Sequence, residues 1–88
     1  MKLYQLFDSV SEGVIGPIMS DRADGSAVRA FRDAVKKPDS VIGSHPEDFS
    51  LLCVGEQDDQ GNIVPERRVV VTGEQVLLVD GVVGSVGH

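Results

Sequence analysis

The chain has few aromatic residues and almost no cysteine. It has no tryptophan, one tyrosine, three phenylalanines and a single cysteine, Cys53. One cysteine excludes an internal disulfide, which fits a reducing compartment. A chain of 88 residues makes one domain and buries only roughly 60–65% of the surface of its unfolded form. We therefore expect residues 1–88 to form a single domain with a small aliphatic core, and we expect association into a homo-oligomer to stabilise it.

Long apolar runs and catalytic motifs are also missing. No stretch approaches the 18 or so apolar residues of a membrane span, and the amino terminus lacks the pattern of a signal peptide. We find no phosphate-binding loop, no Gly-x-Ser-x-Gly elbow, no cysteine pairs for zinc and no dinucleotide fingerprint. These absences favour a soluble, intracellular protein that is not an enzyme and needs no cofactor or membrane.

Positive charge is scarce. Eight Lys and Arg residues stand against 14 Asp and Glu residues, for a net charge of −6. This balance argues against a general nucleic-acid coat protein, which is usually basic. It leaves room for a local cationic patch, because charges farther apart than about 10 Å are largely screened at about 0.1 M salt.

The residues that are present predict an α+β fold. It is a mostly antiparallel sheet with one helix packed on one face, in the order strand, strand, helix, strand, strand, followed by a C-terminal hairpin. Pro17 would place the second strand at a sheet edge or kink it, because proline cannot donate to a ladder. Residues 1–70 form the core of this arrangement, and residues 71–88 are a Val/Gly-rich end. The strands are expected at 2–8, 14–18, 49–56, 62–65, 68–72 and 75–79.

One helix is predicted from periodicity. Apolar residues at positions 27, 28, 31, 34 and 35 lie on one helical face. Pro38 ends the helix, since the residue before a proline is pushed out of the helical region. Asp24 is the favoured N-cap, with Ser20 and Asp21 as alternatives.

The same helix carries the most concentrated positive charge in the chain. Arg29, Arg32 and Lys36 follow the spacing i, i+3, i+7 and lie on one helical edge. With Arg22 upstream and Lys37 adjacent they form what we call the basic strip, which could follow the phosphates of single-stranded DNA. The alternative is a solvated helix face whose cations pair partly with Asp33 and with other acids. The candidate residues for stacking on bases are Tyr4, Phe7, Phe31 and Phe49, and we expect Phe31 to lie in the core.

Three other polar features have ordinary structural interpretations. His45 and His88 are the only imidazoles, and we interpret His45 as a loop-capping residue, not a catalytic or metal-binding one. Glu56, Asp58 and Asp59 lack calcium-loop spacing and are interpreted as a solvated acidic turn. Cys53 lies in an apolar run and is expected to be a small buried residue.

Two motifs resemble a known family. His45-Pro46-Glu47-Asp48-Phe49 followed by Gly55-Glu56 and Asp58-Asp59 is similar to the small nonstructural protein of gokushovirus-type microviruses. The run 27–35, Pro38, Ser40, Gly61, Pro65 and the opening residues 2–8 are also similar. The resemblance covers roughly residues 1–70 and does not extend to the valine-rich end.

The resemblance implies a phage with a small circular single-stranded DNA genome that replicates in the host bacterial cytoplasm. It implies an accessory protein equated with the one that, in ΦX-like phages, switches replication to single-strand synthesis coupled to packaging. The basic strip would then contact single-stranded DNA. The second hypothesis is an adaptor that contacts the replication initiator, the procapsid or a host factor through acidic surfaces, without binding DNA. A third is a minor virion component.

Overall fold

A computed structural model describes residues 1–79 of the chain, and a four-stranded antiparallel sheet dominates it. The strands lie in the order β2-β1-β3-β4. They are joined by a helix, a short helical turn and a 3₁₀ turn at Pro46–Asp48. The bounds are β1 Lys2–Asp8, β2 Gly13–Asp21, α1 Asp24–Val35, α2 Val41–Ser44, β3 Phe49–Gln57 and β4 Ile63–Thr72. This confirms the predicted α+β class and the order strand, strand, helix, strand, strand.

The core lies between α1 and one face of the sheet. Phe31 and Val35 of α1 are 3% and 6% exposed and pack with Tyr4, Leu51 and Cys53 from the two central strands. The apolar positions that predicted the helix therefore form its buried side. Ala23, and not Asp24, occupies the N-cap position, so the prediction that Asp24 caps α1 is wrong. Its carboxylate instead accepts hydrogen bonds from Tyr4 and Arg68.

Both outer strands contain a proline. Pro17 lies in β2 and Pro65 in β4, at the two edges of the sheet, where a missing N–H costs no ladder hydrogen bond. Around Pro17 the register jumps from Tyr4–Met19 to Leu6–Ile15, so one β1 residue faces a three-residue bulge. Gly16 has φ 72 there, a region that favours glycine. Pro65 does not end its strand, so the two predicted strands at 62–65 and 68–72 are one.

The predicted strand at 75–79 is wrong, because residues 73–79 are helical (α3). Thr72 Oγ1 accepts a hydrogen bond from the Gln75 backbone N–H at 3.0 Å, and Gln75 Oε1 accepts one from the Thr72 N–H at 2.9 Å. This reciprocal pair is a capping box, which starts a helix. Val76 then enters the core at 3% exposure. The rest of the predicted C-terminal hairpin lies outside the described residues.

Candidate nucleic-acid interface

Arg29, Arg32 and Lys36 lie together on the outer side of α1. Arg29 and Arg32 line one shallow hollow with Gly25, and both line a second hollow with Asp33 and Lys36. Arg29 and Lys36 are exposed, and Arg32 is half-buried. Because Phe31 and Val35 must point into the core, the period of 3.6 residues turns positions 29, 32 and 36 away from the sheet. We call these three residues the α1 ridge.

The other two members of the basic strip lie at opposite ends of the helix. Arg22 precedes the N-cap residue Ala23, and its backbone N–H donates to Asp21 Oδ1 at 2.7 Å. Lys37 follows the C-cap residue Lys36, and its carbonyl accepts a hydrogen bond from Ser40 Oγ at 2.7 Å. Twelve helical residues separate these ends by about 18 Å. The structure thus brings three of the predicted residues onto one ridge and leaves two at its ends.

The four aromatic residues fall into two groups by their exposure to solvent. Tyr4, Phe31 and Phe49 are 1%, 3% and 5% exposed, so they are core residues and cannot stack on bases. Phe7 is half-buried on β1. The guanidinium carbon of Arg67 lies 5.4 Å from the centre of the Phe7 ring, within the range of a cation–π contact.

A polar network that the sequence did not predict joins α1 to the sheet. Arg68 donates to both carboxylate oxygens of Asp24, at 3.0 and 3.3 Å, and to Glu66 at 3.1 Å. The Tyr4 hydroxyl donates to Asp24 Oδ1 at 2.5 Å, and Lys2 Nζ lies 3.9 Å from the same oxygen. Arg68 and Lys2 therefore belong to this network and not to the α1 ridge.

The network shifts the ionisation of its members. The hydrogen bond from Arg68, followed by the one from Tyr4, holds the pKa of Asp24 below its usual value. Burial raises the pKa of Tyr4 strongly, and the hydrogen bond to Asp24 raises it further. The Asp24 partner raises the pKa of Arg68. Only the tertiary structure reveals this network, since the packing of α1 on the sheet brings together residues as far apart in sequence as Asp24 and Arg68.

The acidic turn is held by its own side chains. Asp58 Oδ1 accepts hydrogen bonds from the backbone N–H groups of Gln60 and Asn62, each at 2.9 Å. Asp58 Oδ2 accepts a hydrogen bond from the side-chain Nδ2 of Asn62 at 3.1 Å. The Asn62 side-chain bond is the main reason that the pKa of Asp58 is lowered. Glu56, Asp58 and Glu66 line one hollow beside Val64. Among residues 1–79, no three His, Cys, Asp or Glu side chains group as a metal site.

The remaining predicted features have clear positions. His45 lies between α2 and the 3₁₀ turn, and its carbonyl accepts the Asp48 N–H at 3.0 Å. It therefore caps the turn through its backbone. Cys53 is 0% exposed, as expected for a small buried residue. His88 lies outside the described residues.

Residues 1–76 match a family model described as Phage ORF5 protein. The chain belongs to this phage protein family. The match runs from β1 into α3 and so includes the whole sheet and the α1 ridge. No curated protein and no solved structure matches the chain. In the part of the chain that the structure describes, no helix is long and apolar enough to cross a membrane.

Proposed function

We propose that this phage protein is a non-enzymatic accessory protein that binds single-stranded DNA during genome replication or packaging in the host bacterial cytoplasm. The observation that carries the proposal is the gathering of Arg29, Arg32 and Lys36 along one outer side of α1 in a chain of net charge −6. The resemblance to the small nonstructural protein of gokushovirus-type microviruses supports the single-stranded genome and the replication switch. Arg22 and Lys37 would extend the contact at the two helix ends.

The ridge has a suitable length for a phosphate backbone. Positions 29 to 36 span about 10.5 Å along the helix axis at 1.5 Å per residue. A single strand laid along this length can bring a few successive phosphates near the three cations. Contacts of this kind depend on charge and carry no sequence information. The expected binding is therefore weak, sequence-independent and sensitive to salt.

Salt dependence gives the test. Three cations on single-stranded DNA predict a slope of log K against log[salt] of about −2.1, an affinity loss of about 18-fold between about 50 and 200 mM salt. Fluorescence anisotropy with a labelled oligonucleotide measures this slope. Arg29→Gln is expected to reduce the slope by about 0.7. Lys2→Gln is the charge-matched control, since Lys2 lies beside Asp24 and not on the ridge.

Two results would contradict the proposal. Absence of binding at low salt rejects DNA binding by this protein. Binding that is unchanged in an Arg29→Ala/Arg32→Ala double variant rejects the ridge as its site. Light scattering with and without the oligonucleotide gives the number of chains in the complex, and tests the expected homo-oligomer.

A second candidate function is a protein adaptor for the replication initiator, the procapsid or a host factor. The hollow lined by Glu56, Asp58 and Glu66 supports it, because Val64 beside them is 69% exposed. An apolar side chain ringed by carboxylates suits a basic, partly apolar partner surface. If a tagged protein recovers an identified phage replication or packaging protein, and Val64→Ser abolishes this while DNA binding persists, the adaptor function is supported. Recovery that is unchanged in Val64→Ser would reject this hollow.

A further inference from the structure

The sheet has a second face, opposite α1. Side chains alternate along each strand, so the positions between the core residues point away from the helix. On the two central strands these are Leu3, Gln5 and Phe7 of β1 and Ser50, Leu52 and Val54 of β3. Arg67 and Val69 extend the same face on β4, and Val14 extends it on β2, where it pairs with Phe7.

The Phe7 ring and the Arg67 guanidinium meet on this face. Arg67 lies on an outer strand and Phe7 on β1, with β3 between them, so the Arg67 side chain must cross β3 to place its guanidinium 5.4 Å from the ring centre. Leu52, on β3, is 2% exposed although no helix covers this face in the described part of the chain. Arg67 itself is exposed and Phe7 is half-buried. An exposed guanidinium therefore lies over a half-buried aromatic ring.

The charge of this face differs from that of the whole molecule. The positions named for this face carry one charged side chain, Arg67, and no carboxylate. Simple alternation would add Glu56 after Val54, but the register shifts beside Val54 pair Glu56 with Lys2 and Val64, and it lines the hollow with Glu66 on the other face. The whole chain has 14 Asp and Glu residues for a net charge of −6. The acids of the sheet, such as Glu66, alternate onto the α1 side, where Glu66 meets Arg68. An anionic ligand with flat apolar groups therefore matches this face better than the other face of the sheet.

We propose that this open sheet face is a base-stacking site for single-stranded DNA, with Phe7 and Arg67 as its platform. Bases of single strands stack on aromatic rings and on arginine guanidinium planes, and this binding tolerates any sequence. The proposal takes its ligand class from the proposed function but names a different site. The α1 ridge contacts phosphates, whereas the opposite face of the sheet contacts bases.

A tryptophan reporter tests the platform directly. The chain has no tryptophan, so Phe7→Trp introduces one fluorophore at the proposed site. We expect its fluorescence to be quenched by a deoxythymidine oligonucleotide and not by an abasic oligonucleotide of the same length. Val41→Trp is the matched control, because Val41 is 71% exposed on α2, away from this face. Equal quenching of both variants, or no quenching of Phe7→Trp, would overturn the proposal.

Two further variants separate stacking from charge. Phe7→Leu keeps an apolar side chain but removes the ring, and Arg67→Lys keeps the charge but removes the guanidinium plane. Stacking of one base is worth about 1–3 kcal/mol and about 1.4 kcal/mol is tenfold in affinity, so each variant is expected to weaken binding about fivefold or more. The slope of log K against log[salt] should change little in either variant. Thermal unfolding of each variant checks that the fold persists.

The outcomes distinguish this site from the α1 ridge. If Arg29→Gln weakens binding while Phe7→Leu and Arg67→Lys do not, the ridge stands and the platform is rejected. If the reverse holds, the platform stands and the ridge is rejected. If no oligonucleotide binds, both are rejected. If light scattering shows that Phe7→Leu converts a dimer to a monomer with DNA binding unchanged, the face joins two copies of this chain, and the stacking proposal is overturned.

Discussion

Tyr4 and Asp24 show how one hydrogen bond ties a strand to a helix. Tyr4 is 1% exposed, and its hydroxyl reaches the edge of the core, where Asp24 accepts its hydrogen bond. Arg68 neutralises the same carboxylate at 3.0 Å. A buried hydroxyl without a partner would cost free energy, so the three side chains depend on one another. Asp24 thus stabilises the contact of α1 with the sheet and does not cap the helix.

Tyr4 provides a prediction for alkaline pH. Its pKa in the folded protein is raised above the ordinary value of 10.0, so the folded state keeps the proton while the unfolded state loses it. This contribution to stability is complete below about pH 10 and decreases as the pH rises above that value. Because Tyr4 is the only tyrosine, tyrosinate absorbance should appear together with the loss of circular dichroism. Ionisation at about pH 10 with the fold intact would contradict this prediction.

Asp24 provides a prediction for acidic pH, where its contribution to stability is lost. Its pKa is lowered in the folded state, so its contribution is present above about pH 4 and is lost as the pH falls through the folded pKa. Asp24→Asn is expected to lower the free energy of unfolding by about 1 kcal/mol near neutral pH, a small value because the carboxylate is partly solvated. Urea unfolding measures the difference, which should shrink in acid. The exposed Asp33→Asn serves as the control, and an equal effect there would contradict the assignment.

Helix α3 holds the end of β4 close to the 3₁₀ turn that precedes β3. Gly73 is buried at the junction of β4 and α3, and a Cβ placed on it would lie 1.8 Å from the Pro46 carbonyl oxygen. The end of β4 and the 3₁₀ turn before β3 therefore approach through this glycine. The capping box of Thr72 and Gln75 turns the chain into α3, and Val76 anchors it in the core.

Gly73→Ala tests this junction. The clash is with backbone, which cannot move aside cheaply, so we expect a loss of about 1–3 kcal/mol in the free energy of unfolding. For a domain of this size this corresponds to a decrease in Tm of roughly 4–8 °C per kcal/mol. Gly25→Ala is the matched control, because nothing lies within 4 Å of its added Cβ and alanine favours a helix. A Tm for Gly73→Ala that equals that of the control would contradict the close approach of the two backbones.

The two proposed DNA contacts lie on opposite sides of the sheet. α1 carries Arg29, Arg32 and Lys36 on its outer side, and Phe7 with Arg67 lies beyond the other sheet face. A single DNA strand must therefore pass around an edge of the sheet to reach both contacts. Linked contacts of this kind raise the affinity only when the ligand is long enough to span them.

The dependence of affinity on oligonucleotide length tests this path. A ligand of about six nucleotides, within the range of single-stranded binding sites, should engage one site at a time. A ligand several times longer offers more positions at which the protein can bind, which raises the affinity statistically. Its affinity should rise beyond this statistical gain, since binding at one contact makes binding of the same ligand at the other contact intramolecular. On the long ligand, the effects of Arg29→Gln and Phe7→Leu on affinity should both be visible. An affinity that is independent of length beyond a few nucleotides would contradict a path around the sheet.

Local sequence patterns were enough to establish the class of fold and the identity of the helix. The apolar period of residues 27–35 required a buried side, and the same period placed Arg29, Arg32 and Lys36 opposite it. Pro17 required an edge position or a kink, because proline cannot donate to a ladder, whereas Pro65 was expected to end a strand and lies inside the edge strand β4. The capping pair Thr72 and Gln75 was also present in the sequence, but the surrounding valines favoured a strand by local propensity, and the helix won because Val76 gains burial.

Long-range pairing decided which charged and aromatic residues share a surface. Arg67 and Arg68 are neighbours in the chain, yet alternation along β4 sends Arg68 to Asp24 and Arg67 to the Phe7 ring. Strand order then places β1 beside β3 and within reach of β4, which buries Tyr4 and leaves Phe7 on the open face. Local periodicity specifies which side of an element a residue faces, but the neighbour on that side depends on how distant segments pair, and a single sequence carries no direct record of that pairing.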